Sequence, residues 1–219
     1  MYSVKEAFYT LQGEGGQAGR AAVFCRFTGC NLWSGRERDR DKSLCRFCDT
    51  DFVGTDGQNG GRFGEASHLA DHLQALWPGD DRRSLSSRSR PYVVFTGGEP
   101  LLQLDTSLIA ALHERGFEIA VETNGTIEAP SGIDWLCVSP KGRAELKQSS
   151  GDELKLVYPQ AEAPPSRFVT LDFQHFFLQP MDLGPRGGRG NTMDETVAYC
   201  MAHPQWRLSL QTHKIAGID

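Results

Sequence analysis

Three cysteines, Cys30, Cys45 and Cys48, follow one another as C-x14-C-x2-C. The x2 pair is the spacing that lets two thiolates reach one metal centre. The long gap before it is dense in charge, with Arg36, Glu37, Arg38, Asp39, Arg40, Asp41 and Lys42 in succession. No fourth cysteine is near. A closed structural zinc site wants four protein ligands. An iron–sulfur cubane normally takes four cysteines, so three would leave one iron free for a small ligand. On spacing alone, a zinc site completed by a distant side chain, an open-sided cubane and unligated buried thiols all stand.

A second stretch, Tyr92-Val93-Val94-Phe95-Thr96-Gly97-Gly98-Glu99-Pro100, reads as a buried strand ending in paired glycines and a carboxylate. Glycines there allow backbone to approach a ligand closely, and Glu99 suits an ammonium group. A plain strand-ending turn explains the glycines equally well.

Cysteines after one strand and G-G-E-P after the next resemble the radical S-adenosylmethionine (SAM) superfamily. The usual cysteine spacing there is shorter than x14. Further motifs narrow the resemblance: Phe8 to Gly15 (F-Y-T-L-Q-G-E-G), Cys48-Asp49-Thr50, Ser139-Pro140-Lys141, Gln179-Pro180-Met181-Asp182 and Ser209 to Lys214 (S-L-Q-T-H-K). In this order the chain resembles the 7-carboxy-7-deazaguanine synthase family over nearly its whole length.

That resemblance implies a lyase that converts 6-carboxy-5,6,7,8-tetrahydropterin to 7-carboxy-7-deazaguanine and ammonia, in queuosine-type 7-deazapurine biosynthesis. Cys30, Cys45 and Cys48 would hold a [4Fe-4S] cluster, and one electron from it would cleave SAM to a 5′-deoxyadenosyl radical. SAM would meet Phe47, Cys48, Asp49, Gly98, Glu99, Ser139, Pro140, Lys141, Gln179, Pro180, Met181 and Asp182. The pterin would meet Leu11, Gln12, Gly13, Glu14, Arg26, Thr96 and the terminal Asp219. Thr50 would contact a magnesium ion. An electron donor such as flavodoxin and a homodimer are implied too. Two alternatives share some features: a radical SAM activating enzyme acting on a protein partner, and a zinc-stabilised binding module.

Composition bounds the frame. A chain of 219 residues with 39% hydrophobic and 23% charged residues is expected to form a single domain, 1–219, with a sizeable core. A net charge of −5 argues against a broad nucleic-acid footprint. No apolar run is long enough to span a bilayer, and the first residues lack a signal core. A cytoplasmic protein with reduced or metal-bound thiols is expected.

The elements that must position these residues follow from periodicity. Residues 3–10 alternate weakly, as a short strand. Ala21 to Phe27 reads as a buried strand with Phe24 and Arg26 on one face and Val23, Cys25 and Phe27 on the other. An arginine there needs an anionic partner. Residues 54–64 are glycine-rich and read as loop, and 79–90 as a surface loop. Helices are expected over 66–77, 105–115 and 192–203. Further strands are expected at 118–121, 134–138, 154–158, 176–178 and 207–211. Cys25, Cys137 and Cys200 read as small buried hydrophobes. The paired His68 and His72 read as part of a solvated helix face. Strands outnumber helices, so the pattern predicts an α/β fold: a partial parallel (β/α) barrel with about six strands and reduced helical covering. The polar motifs fall at strand C-termini, where barrels build their active sites.

Overall fold

The computed structural model describes residues 1–78, 90–183 and 189–218, and the side chains of 189–191 are not described. The expected surface loop at 79–90, except its last residue, and Asp219 lie outside the described residues.

One open sheet organises the chain, with strand order β3-β1-β2-β4-β5-β6-β7-β8-β9. Strands β1 (Tyr2–Leu11), β2 (Ala21–Phe27) and β3 (Gly61–Phe63) form its first end. β1 pairs antiparallel with both β2 and β3. From β2 onward all neighbours are parallel: β4 (Tyr92–Gly97), β5 (Glu118–Thr123), β6 (Trp135–Val138), β7 (Ser150–Tyr158), β8 (Asp172–Pro180) and β9 (Trp206–Leu208). The helices are α1 (Ala66–Leu76), α2 (Thr106–Glu114), α3 (Arg189–Ala202) and α4 (Thr212–Ala216).

A mostly parallel sheet with few helices agrees with the sequence reading, but among the described residues nine strands replace about six. The expected short first strand is ten residues long. Its antiparallel pairing with β2 satisfies backbone groups that a lone short strand would leave open. The glycine-rich stretch read wholly as loop contains β3, and Asn59 Nδ2 donates to the Ala7 carbonyl at 2.9 Å beside it. β7 and β8 begin four residues earlier than expected and pair with each other along nearly their whole length. α4 gave no periodic signal because it is barely longer than one turn.

Packing follows the alternation in β2. Val23, Cys25 and Phe27 are fully buried under α1 and α2. Phe27 stacks on Phe95 with ring centroids 5.4 Å apart. α2 is set by Asp105, which caps the Leu108 amide at 2.9 Å and also accepts from the Tyr2 hydroxyl at 2.8 Å. A cap of this kind is worth roughly 1 kcal/mol. The opposite sheet face carries only a small cluster, Ala22, Tyr92, Val94 and Ala120. Beyond it, toward the strand C-termini, that face turns polar and hollow. The His68 and His72 pair does not converge: the His72 ring pairs with the Asn59 carbonyl at 2.8 Å.

Candidate active site

A cavity of about 480 Å³ opens at the C-terminal ends of the parallel strands. Every polar motif picked out above contributes to it. Leu11, Gln12, Gly13 and Glu14 come from the end of β1, Arg26 from β2 and Thr96 to Gly98 from β4. Ser139 and Lys141 follow β6, and Gln179 to Asp182 close β8. Cys45, Phe47, Cys48, Asp49 and Thr50 face it from the loop after β2.

The two cysteines of the x2 pair are electronically distinct. The Cys45 thiol donates to Cys48, which lowers the Cys48 thiol to about 6 and raises Cys45. Burial raises Cys30, which lies near enough to feel the Cys48 charge. Among the described residues no three such side chains converge as a single metal ion requires. A cubane takes each thiolate on a different iron and is wider than one ion. Three cysteine sulfurs are the donor set that a cubane with one open iron would take.

The long insert is folded back onto this pair. Residues Glu37–Lys42 make a short 3-10 turn. Arg40 lies over the Trp33 ring at 4.1 Å and donates to the carbonyls of Arg46 and Cys48, each at 3.0 Å. The Leu32 carbonyl accepts from the amides of Leu44 and Cys45. The chain thus returns to within reach of Cys30 after fourteen intervening residues.

Gly98 has a tighter role than leaving room for a ligand. A Cβ there would stand 2.1 Å from the Gly29 carbonyl oxygen and 2.8 Å from Cys30 Cβ. The second glycine therefore lets β4 lie directly against the first cysteine. Glu99 is fully buried and does not line the cavity. Its carboxylate accepts from Thr123 Oγ1 at 2.6 Å, the Asn124 amide at 2.8 Å and the Leu101 amide at 3.0 Å. Burial still raises its pKa. Three accepted bonds leave one of the carboxylate's lone pairs unused. Pro140 and Cys30 also stand behind the cavity wall rather than on it.

Arg26 has the anionic partner that its strand position demanded. Its Nε donates to Glu6 Oε1 at 2.8 Å, from the antiparallel neighbour β1. Glu14 is bonded by Lys155 at 2.8 Å, Gln179 at 3.1 Å and Gln211 at 2.9 Å. Burial alone would raise Glu14, but the Lys155 charge and hydrogen bonds hold it down at about 2. Glu122, Lys155, Gln211, His213 and Lys214 line the cavity as well. Sequence reasoning assigned none of these five. Glu122 opens a polar Glu122-Thr123-Asn124-Gly125 run at the end of the expected strand 118–121, which was the available signal.

A parallel α/β sheet whose strand ends bring a cysteine triplet beside Gly-Gly-Glu-Pro defines a radical SAM enzyme. Full-length relatives make the assignment finer. The chain is 64% identical to the 7-carboxy-7-deazaguanine synthase of Caulobacter vibrioides, across 99% of both chains. It is 62% identical to the synthase of Bordetella pertussis and 54% identical to that of Burkholderia multivorans, again across 99% of each. The crystal structure of QueE from Escherichia coli superposes with a TM-score of 0.65 at 26% identity, covering 96% of this chain and 93% of that one. No family model matches the chain. The chain belongs to the 7-carboxy-7-deazaguanine synthase family.

Proposed function

We propose that the chain acts as a single radical SAM domain, 1–219, that converts 6-carboxy-5,6,7,8-tetrahydropterin to 7-carboxy-7-deazaguanine with loss of ammonia. The observation that carries this reading is the cavity itself. It places one guanidinium, Arg26, and one held-down carboxylate, Glu14, among the strand ends beside the cysteine pair. A carboxypterin has the complementary ends: a carboxylate and an aminopyrimidine edge of N–H donors.

Cys30, Cys45 and Cys48 would hold the [4Fe-4S] cluster. With SAM bound, the reduced cluster would supply the electron that cleaves SAM, and the 5′-deoxyadenosyl group so released would take hydrogen from C6 of the pterin. The chain's own groups then bind and orient. Phe47, Cys48, Asp49, Gly98, Ser139, Lys141 and Gln179 to Asp182 fit SAM. Glu99 adds its remaining lone pair from behind, and Pro140 shapes the turn between Ser139 and Lys141. Lys141 is fixed by the Ser139 carbonyl at 2.7 Å, so its charge stays on the cavity wall. Leu11, Gln12, Gly13, Glu14, Arg26 and Thr96 fit the pterin. Asp219 belongs to this proposed set as well. Thr50 offers a hydroxyl for Mg²⁺, which keeps several waters and takes few protein oxygens.

Flavodoxin as electron donor, a homodimer and a cytoplasmic location complete the reading. Among the described residues no helix is long and apolar enough to cross a membrane.

Anaerobic reconstitution with iron and sulfide, followed by assay with the tetrahydropterin and SAM, tests the function. Release of 7-carboxy-7-deazaguanine without any protein substrate also separates it from a protein-activating enzyme. Absence of that product from cluster-loaded, SAM-cleaving enzyme would falsify it. Replacing Cys30, Cys45 or Cys48 by alanine should abolish both the cluster signal and SAM cleavage.

A further inference from the structure

Lys155 sits near the middle of β7, and its side chain is 4% exposed. A charge that deep requires partners. Its ammonium donates to Glu14 Oε2 at 2.8 Å and to Glu122 Oε2 at 2.5 Å. Gln12 Nε2 donates to the other Glu122 oxygen at 2.9 Å, while Gln179 and Gln211 hold the other Glu14 oxygen. One ammonium therefore ties together groups from the loop after β1, from β5, from β8 and from the segment before α4. All of these groups line the cavity.

The charges around it do not balance. Glu153, also on β7 and 2% exposed, accepts from the Gly16 amide at 2.6 Å. Burial raises the Glu153 pKa, as it does that of the Cys137 thiol on β6. His213 of α4 faces Glu14. Burial alone would lower Lys155, yet the surrounding acidic groups keep it charged. One ammonium thus meets two carboxylates, Glu14 and Glu122, on this wall. Each carboxylate still has a lone pair to offer.

We propose that Lys155 is a positioning residue of the substrate site, fixing Glu14 and Glu122 as adjacent acceptors for the N–H edge of a cyclic guanidine-type heterocycle. This rests on the substrate reading above and deepens it. Lys155 does not touch the reacting carbon. It sets where two acceptors point, and so which end of the substrate enters against β5 and β7 while the carboxylate end meets Arg26.

The test compares wild type, Lys155→Met and Lys155→Arg in cluster-loaded enzyme. Wild-type turnover of the carboxypterin checks the underlying reading in the same assay. Lys155→Met should raise the KM for the pterin at least tenfold, with the KM for SAM and the uncoupled cleavage of SAM changed less than twofold. The acid limb of kcat/KM should also move up by a pH unit or more, because Glu14 loses its counter-charge. Lys155→Arg should keep the acid limb in place and raise only KM. A purely structural lysine would lower both substrates' binding together and leave the limb unmoved, and that result overturns the proposal. If Lys155→Met does not fold, the Lys155→Gln/Glu122→Gln double variant removes the charge pair as a unit. Its acid limb must lie above that of Glu122→Gln alone, and coincidence of the two overturns the assignment.

Discussion

Arg40 donates one guanidinium N–H to the carbonyl of Cys48 across 3.0 Å, from within the insert that separates the first two cysteines. The insert thereby holds the backbone of the x2 pair in place. A hydrogen bond from a charged donor contributes roughly 1.5–3 kcal/mol. Arg40→Ala is expected to lose cluster on desalting several-fold faster than wild type, read from iron and sulfide content. Arg40→Lys keeps the charge but loses the stack on Trp33, and should fall between. Equal cluster retention in all three would show that the insert is only a tether.

Lys214 makes a comparable tie at the other side of the cavity. Its ammonium meets Asp49 at 3.0 Å and Asp182 at 2.8 Å, joining the segment after Cys48 to the end of β8. Both carboxylates are among the residues proposed for SAM. Pairs this exposed contribute roughly 0.2–1 kcal/mol each. Lys214→Met should weaken SAM binding about threefold to tenfold by calorimetry, with the cluster unchanged. Tighter SAM binding would mean instead that Lys214 competes for those carboxylates.

Arg26 lines the cavity, and Glu6 takes its Nε, which leaves its terminal nitrogens for a ligand. Arg26→Ala should weaken pterin binding roughly tenfold to a hundredfold, the equivalent of one charge-assisted pair, and barely change SAM affinity. Glu6→Gln should cost about threefold in the same direction, since an amide still accepts from Nε but orients it less firmly. Loss of SAM binding with pterin binding intact would reverse the two ends of the cavity.

Glu14 supplies a pH test with a definite sign. Its folded pKa lies at about 2, below the ordinary 4.5. A depressed carboxylate contributes stability that is present above the unfolded value and is lost as pH falls through the folded one. The stability difference between wild type and Glu14→Gln should therefore be largest above pH 4.5, at roughly 3 kcal/mol or less, and shrink toward pH 2. Chemical denaturation of the two proteins across that range checks it. Glu99 and Glu153 shift the opposite way, but they are common to both proteins and cancel in the difference.

Alternation made much of this legible. In β2 it separated Arg26 from Cys25 correctly, because a strand permits only two faces. The strand-end motifs marked the cavity for a similar reason: polar residues there have no core to enter. Lys155 was invisible on the same logic. Glu153-Leu154-Lys155-Leu156 reads as a strand with one wet face, and nothing local says that this face lines an enclosed cavity. Its partners Glu14 and Glu122 lie 141 and 33 positions away. α4 escaped because a helix this short draws its stability from tertiary contact, not from its own pattern.

The carbonyl of Gly13 accepts both the amide and the hydroxyl of Thr212, 199 positions further on. A Cβ on Gly13 would run into His213, so the two segments are closely seated. Loop closure over such a distance is paid for late in folding, after local and neighbouring-strand contacts have formed. On a ribosome, the sheet from β1 to β8 can assemble while the residues near position 212 are still inside the exit tunnel. This wall of the cavity would then remain incomplete until those residues emerge. A growing chain could acquire the loop that carries its cysteines well before it could hold the molecule on which a radical would act.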